Sequence, residues 1–520
     1  MKTRFNNFNF FLHGHRPEIH SRFSRNGENF EIVMRKIKDL VKNGQKNEII
    51  LNTDVHVSDC EKESNYFRLN AILKIAERFG IKRVQLNLIN PSRNGLIAPL
   101  NEVASYISKA RYVFLFDFLT KVKGLPYCLI PEPEGVILKN EKSRDFVKLK
   151  KCKICRYYRQ CDGILKGYIN NLDENKIRPQ ILPAEVMIET TPLCNFHCRF
   201  CFNRASFAKK GHRGEEPSSA YIKKIICAIK KAGIPIIRFT GGEPLLRKDI
   251  FELIKYAREK KLEVRLNTNC SLIKNKETAI WLAKNLDYVL VSMHTYDPRK
   301  EDKITGFHGS FEHRIKVMKW LKRSGLKTLR VSTIGTWDNI RHLDEIYRIL
   351  VEVGANEWAV NRIIPLPGQK DLFSFRQLRA LAKKLVKIRK DIVRKNISLN
   401  AHIDNGVPFC ADDPILMNSV SSGGGSVDGH TRYAIDPRGF AKPIYYLEKN
   451  IGNPLEPLEC WNHPFMKKIR SYAILPRECK KCILLEKCKG GNRFCAYVAY
   501  GDYKARDPLT DFSNIKNLIF

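Results

Sequence analysis

The sequence predicts an α/β fold with a parallel sheet, either open and doubly wound or curved into a partial barrel. Three observations predict it. From residue 185 onward, short apolar runs alternate with amphipathic stretches in six successive strand–helix units. Nine of the 16 cysteines fall in three tight groups, 152/155/161, 194/198/201 and 479/482/488. Segments of residues 1–165 also recur, in the same order, later in the chain.

The elements follow in order. "EVMIET" (185–190) reads as a strand and leads into three cysteines. "SSAYIKKIICAIKKAG" (218–233) is an amphipathic helix stopped by Gly233. "IPIIRFTGGEP" (234–244) is a buried strand running into a glycine turn. Helix "DIFELIKYAREKK" (249–261), strand "LEVRLNTN" (262–269), helix "TAIWLAKNL" (278–286) and strand "DYVLVSMHT" (287–295) come next. "SFEHRIKVMKWLKRSG" (310–325) is a helix; "KTLRVSTI" (327–334), "NIRHLDEIYRILVEVG" (339–354) and "NEWAVNRIIPLPG" (356–368) give strand, helix, strand. In such sheets ligands sit beyond the carboxyl ends of the strands. Both the cysteine loop and "TGGEP" fall there. "FRQLRALAKKLVKIRKDIVRKN" (375–396) sets Leu378, Leu381, Leu385, Ile388 and Ile392 on one stripe, a helix packed on the sheet with a wet basic face. "SSGGGSVDG" (421–429) reads as a loop, and "RYAIDPRGFAKPIYY" (432–446) as a hairpin turning at "DPRG".

Composition narrows the class. The chain has 520 residues, 43% hydrophobic and 28% charged, as globular proteins have. No apolar run is long enough to cross a bilayer, and the start lacks a signal-peptide layout, so a cytoplasmic protein without membrane contact is expected. Lys plus Arg exceed Asp plus Glu by 92 to 54, a net charge of +38. The excess is spread along the chain and reads first as a solvated surface, with RNA or an acidic substrate as the alternative. Sixteen cysteines in such a chain point to metal or redox use rather than disulfides. Cys60, Cys128, Cys227 and Cys270 stand alone and read as small buried hydrophobes, while Cys410, Cys460 and Cys495 are possible extra ligands.

"CNFHCRFC" places Cys194, Cys198 and Cys201 within eight positions with no fourth cysteine near. Three thiolates can hold three irons of a cubane cluster and leave the fourth open. A zinc site closed by His197 is the alternative, disfavoured because His197 adjoins Cys198. The cysteine motif after one strand and "GGEP" after the next closely resemble the radical S-adenosylmethionine (SAM) superfamily over about 186–368. The resemblance implies a partial (β/α)6 TIM-like barrel, a [4Fe-4S] cluster on Cys194, Cys198 and Cys201, and SAM on the open iron. Reductive cleavage of SAM to a 5′-deoxyadenosyl radical would follow, with electrons from an external donor. It further implies SAM contacts from Gly241, Gly242, Glu243 and Pro244 of the turn, from Asn267 and Asn269, and from Ser292. Glycines without Cβ are expected to let backbone approach the methionine end of SAM, and Glu243 to accept from its amino group.

The tail "CKKCILLEKCKGGNRFC" carries Cys479, Cys482 and Cys488 and resembles the SPASM or twitch extension of radical SAM enzymes that act on peptides and proteins. It departs from that pattern. Ile444, Asn492 and Thr510 stand where the full extension has cysteines. One auxiliary iron–sulfur cluster is therefore expected, completed by Cys410, Cys460, Cys495 or a non-cysteine ligand, with zinc as the alternative.

The front of the chain echoes the back. Residues 11–44 align with 292–325, pairing His13 with His294, Phe30 with Phe311 and Gly44 with Gly325. Residues 79–91 align with 353–365, pairing Gly80 with Gly354, Asn87 with Asn361 and Pro91 with Pro365, and "CKICRYYRQCDG" (152–163) has the spacing of "CKKCILLEKCKG" (479–490). Residues 1–165 thus read as a partial, degenerate half-barrel without "CxxxCxxC" or "GGEP", whose open edge needs a cover or an upstream part. Cys152, Cys155 and Cys161 are a candidate metal site with Cys128 as a possible fourth ligand. The histidines 13, 15, 20 and 56 are not read as ligands. The expected organisation is 1–165 half-barrel with Cys tail, 184–370 radical SAM core, 371–400 connecting helix and 401–520 auxiliary domain. A peptide or protein substrate is the favoured reading; an RNA-modifying enzyme and a non-catalytic iron–sulfur scaffold are its rivals. No residue stands out as a catalytic acid or base.

Overall fold

The structure, a computed structural model, describes residues 7–24, 29–57, 65–90, 98–130, 133, 135–140, 143–201, 216–364, 373–424 and 429–518. Cys60, Pro91, Pro365 and residues 425–428 of the 421–429 loop lie outside them. The chain divides into two units, Met1–Ile181 and Leu182–Phe520. Among the described residues no helix is long and apolar enough to cross a membrane.

The first unit is a parallel sheet in sequence order: β1 (Phe8–Phe11), β2 (Ile49–Val55), β3 (Arg83–Leu88), β4 (Leu119–Lys123) and β5 (Ile137–Leu138). Helices Phe30–Lys42, Leu69–Phe79 and Leu100–Val113 make the crossovers. Asn29 caps the first by accepting from Glu31 N at 2.8 Å, and Gly80 in left-handed conformation ends the second. Ile37, Leu51, Leu73, Leu86 and Ile107 are fully buried in one core. A short antiparallel pair, β6 (Phe146–Val147) and β7 (Ile164–Leu165), flanks the cysteine tail.

The second unit holds a nine-stranded sheet. Strands β8 (Glu185–Glu189), β9 (Ile236–Thr240), β10 (Glu263–Thr268), β11 (Tyr288–Ser292), β12 (Thr328–Ile334), β13 (Glu357–Asn361) and β14 (Asn400–Asp404) pair in sequence order, all parallel. At the other edge β15 (Arg432–Ile435) lies parallel to β8, and β16 (Ala441–Lys442) is antiparallel to β15. The six expected strands, β8–β13, are present, with β14 added at one side and the hairpin strands β15 and β16 at the other. The "DPRG" hairpin forms as expected, with Gly439 N donating to Asp436 O at 2.9 Å. Its strands belong to the core sheet, so the segment after residue 400 is continuous with it. The stretch expected as one helix over 339–354 is two, Trp337–Ile340 and Leu343–Val353, because Thr336 and Asn339 close a capping box around the first turn. Leu378, Leu381 and Leu385 are buried on helix Phe375–Arg394, as its stripe required.

One hydrogen-bond pattern occurs in both units. His13 Nδ1 accepts from Asp54 N, and His294 Nδ1 from Ile334 N, each at 3.3 Å. Thr53 Oγ1 donates to Leu12 O and Thr333 Oγ1 to Met293 O. Asn65 donates to His13 O and Asn339 to His294 O, while each amide oxygen accepts a backbone N–H at 2.8 Å, from His56 and Thr336. These bonds tie the first of two adjacent strands to the loop after the second, at β1/β2 and at β11/β12.

Candidate active site

A cavity of about 340 Å³ opens at the carboxyl ends of the second unit's strands, within the size range of small-molecule sites. Side chains point into it at period two: Arg238 and Thr240 of β9, Asn267 of β10, Leu290 and Ser292 of β11, Ser332 and Ile334 of β12, Asn361 of β13 and Asp404 of β14. A sheet that lines one cavity from so many successive strands must curl around it, which makes it a partial barrel. Cys194, Cys198 and Cys201 line the same cavity, together with Gly241, Gly242, Glu243 and Asn269. Residues named from two motifs and two strand ends are thus brought together. Pro244 is buried at the start of a 3-10 turn and is not among the lining residues.

The glycine turn is pressed against the chain that leads to the cysteines. Thr190 N donates to Thr240 O at 2.8 Å, Gly242 N to Thr191 O at 2.8 Å and Glu243 N to Leu193 O at 2.7 Å. A Cβ on Gly241 would stand 2.5 Å from Thr191 O, and one on Gly242 1.9 Å from Leu193 O. The missing side chains make room for the cysteine loop's own backbone. Glu243 is buried and accepts from Asn269 N at 2.7 Å, Thr268 Oγ1 at 2.8 Å and Leu245 N at 3.1 Å. Burial still pushes its carboxyl up to about 7. Most of its acceptor capacity therefore holds the end of β10 in place. Asn269 passes the restraint on, donating to Asn195 Oδ1 at 2.9 Å beside Cys194.

Helix Pro298–Thr305 grips the cysteine loop from the other side, through His197 N to Thr305 O at 2.7 Å and Arg199 N to Ile304 O at 3.2 Å. Sequence reading missed this helix. Its signal was "DPRKE", where Asp297 caps the helix by accepting from Arg299 N at 2.9 Å and Pro298 fills the first turn.

Sequence reading also missed the cavity's charged wall. Arg238 and Arg265 both reach Glu185, and Arg330 reaches Asp404. Burial raises the Glu185 carboxyl, but Arg238, Arg432 and Arg265 outweigh it and hold it down at about 2. Asn267 is engaged in this wall. It accepts from Arg238 at 2.9 Å and donates to Thr240 Oγ1 and Tyr445 OH, each at 3.2 Å. Arginines in the middle of otherwise apolar strands were the available signal.

The donor set suits an iron–sulfur cluster. His197 is exposed and is not among the lining residues, so the zinc alternative lacks its fourth ligand. Three spaced thiols at the mouth of a polar cavity fit three corners of a cubane.

The remaining cysteines divide by environment. Cys152, Cys155 and Cys161 line a cavity in the first unit together with Cys128, so Cys128 is not the isolated hydrophobe first expected. In the second unit the Cys410 thiol is close enough to feel Cys479, Cys482 and Cys488. Cys460 instead donates to Asn453 O at 3.0 Å, and Cys495 packs with Ile364 and Phe494. Cys227 meets Tyr256 OH at 2.9 Å and Cys270 is fully buried. Where the resembling family has cysteines, Ile444 packs on Met187 and Ala434, and Asn492 caps helix Arg493–Tyr500.

Residues 188–350 match the model of the Radical SAM superfamily. Within the second unit that stretch is a radical SAM domain by this match, a family whose cofactors are a [4Fe-4S] cluster and SAM. The chain is 27% identical to the AdoMet-dependent heme synthase of Nitratidesulfovibrio vulgaris over 62% of this chain and 91% of that protein. It is 25% identical to the PqqA peptide cyclase of Bradyrhizobium diazoefficiens over 65% and 89%. Among solved structures it shares the fold of Streptococcus suis SuiB bound to S-adenosylmethionine, with a TM-score of 0.51, 20% identity and coverage of 63% and 77%.

Proposed function

We propose that the second unit holds a [4Fe-4S] cluster on Cys194, Cys198 and Cys201, binds SAM beside it, and modifies a side chain of a peptide or protein. The observation that carries this is the single cavity shared by the three thiols, the glycine turn and the polar ends of β10 and β11. Bound there, the cluster and SAM supply reductive SAM cleavage and a 5′-deoxyadenosyl radical for hydrogen abstraction. The protein's part is placement. Gly241 and Gly242 seat the cysteine loop on β9, Glu243 and Asn269 lock it to β10, and helix Pro298–Thr305 fixes its outer side. Ser292 and Asn269 offer polar contacts to SAM, while Asn267 acts by holding Arg238. Electrons come from an external donor.

The peptide substrate rests on the relatives named as acting on peptides. The Cys479, Cys482 and Cys488 group is read as an auxiliary iron–sulfur site, and the Cys152, Cys155 and Cys161 group as a further metal site. We read the first unit as a second, partial version of the fold, with β1–β4 standing for β11–β14; the recurring histidine, threonine and asparagine bonds support this. The RNA reading rests on charge alone and the scaffold reading on no feature of the site. The test is anaerobic reconstitution, reduction with SAM present, and assay of 5′-deoxyadenosine with candidate peptides. Product that rises with a peptide supports the reading; RNA stimulation that falls steeply with salt would replace the substrate class.

A further inference from the structure

The cysteine group of the first unit is built like that of the second, down to its hydrogen bonds. After β4 the chain reads "GLPYC" (124–128), and after β14 it reads "GVPFC" (406–410). In both, the glycine is in the positive-φ region and the cysteine sits on a 3-10 turn, Tyr127–Leu129 or Phe409–Ala411. The turn faces a C-x2-C-x5-C-x-G loop in each unit. Inside that loop Cys155 N donates to Cys152 O and Cys482 N to Cys479 O; Cys161 N donates to Tyr157 O and Cys488 N to Leu484 O.

The bonds to sulfur correspond as well. The Cys161 thiol faces the backbone N–H groups of Tyr127 and Gly163. The Cys488 sulfur accepts from Phe409 N at 3.4 Å and faces the N–H of Gly490. In the first unit Cys155 Sγ also accepts from Gln180 N at 3.3 Å, and the Cys128 thiol faces the Arg178 N–H. Backbone donors aimed at sulfur favour a thiolate that ligates a metal. A neutral buried thiol, a weak acceptor, has little use for two of them. The Cys128 thiol lies near those of Cys161 and Cys152.

We propose that Cys128 completes a four-thiolate iron–sulfur site with Cys152, Cys155 and Cys161 in the first unit, by the construction that brings Cys410 to Cys479, Cys482 and Cys488 in the second. A cluster is chosen over a single ion because backbone N–H groups aimed at the sulfurs are among the contacts that tune iron–sulfur clusters; a single zinc is the alternative that the test decides. Four cysteines cap all four irons, so this cluster has no open corner for SAM and serves as an electron carrier or a staple for the tail. The inference rests on the first unit's geometry and stands independently of the SAM site.

The test uses the full chain with Cys194, Cys198 and Cys201 all changed to alanine, reconstituted anaerobically, so that failure of the SAM site is separated from failure here. Iron, sulfide and zinc are counted and the reduced protein is examined by electron paramagnetic resonance. The expected background content is about eight irons per chain in two cubanes, and Cys128→Ala and Cys410→Ala each lower the iron content or change the signal of one cluster and leave the other as it was. Cys128→Ser, checked by circular dichroism, serves should the alanine variant not fold. Two distinct cluster signals in the background protein, one of them lost or altered in Cys128→Ser, support the site. Iron content and spectra unchanged by both Cys128 variants would overturn it, as would one zinc per chain bound by these thiols in place of iron.

Discussion

At the scale of single residues, Gly242 carries more than its lack of a side chain suggests. A methyl group there would meet Leu193 O at 1.9 Å, at the step where the cysteine loop is bonded to β9. Gly242→Ala is expected to lower 5′-deoxyadenosine formation by at least about tenfold, equivalent to ~1.4 kcal/mol. Gly233 is the contrast. Nothing lies within 4 Å of its Cβ direction, but its φ is +75°, so Gly233→Ala should cost about 1 kcal/mol of stability and leave the specific activity unchanged. His294 gives a pH signature. Burial holds its imidazole down at about 4, and its Nδ1 must stay unprotonated to accept from Ile334 N. From pH 6.5 down to 4 the unfolded chain binds a proton that the folded one does not. Stability should therefore fall with decreasing pH across that window, by about 3 kcal/mol for this group. Urea unfolding of wild type and His294→Gln between pH 7 and 4 should show a shallower pH slope in the variant.

At the scale of elements, the ion pair Arg362–Asp507 joins the end of β13 to the cysteine-rich tail. Both side chains are buried, with Nη1 2.8 Å from Oδ2. Asp507 also accepts from Asn492 N at 2.8 Å and Leu509 N at 2.9 Å. Arg362→Met leaves the carboxylate buried without its cation and should cost about 3–5 kcal/mol in denaturant unfolding. Adding Asp507→Asn should restore only part: it removes the buried charge, but its one oxygen can replace either Oδ1 towards Leu509 N or Oδ2 towards Asn492 N, not both. This is also where sequence reading stopped. Strands β8–β13 were legible because their apolar runs alternate with amphipathic helices. Strand β14 was not: "NAHID" is short and polar, and it is buried because Asp404 pairs with Arg330 across the cavity. The Cys194, Cys198, Cys201 and GGEP motifs were legible as local patterns. The Glu185–Arg238 contact and the neighbourhood of Cys410 join residues far apart in sequence, and no local period announces them.

At the scale of the whole molecule, the chain pairs a radical SAM core with a unit that has the matching strand order and hydrogen bonds but neither of the core's two motifs. On the proposed reading the division of labour is chemical: an open-cornered site on Cys194, Cys198 and Cys201, and four-thiolate sites on the other two cysteine groups. The central claim is that the open site splits SAM. The most direct measurement is 5′-deoxyadenosine formed by the reconstituted, reduced full chain with SAM, beside a variant with Cys194, Cys198 and Cys201 changed to alanine. The account predicts product from the wild type and none from the variant. Iron-loaded wild type that binds SAM yet forms no 5′-deoxyadenosine, or a variant that forms as much, would contradict it.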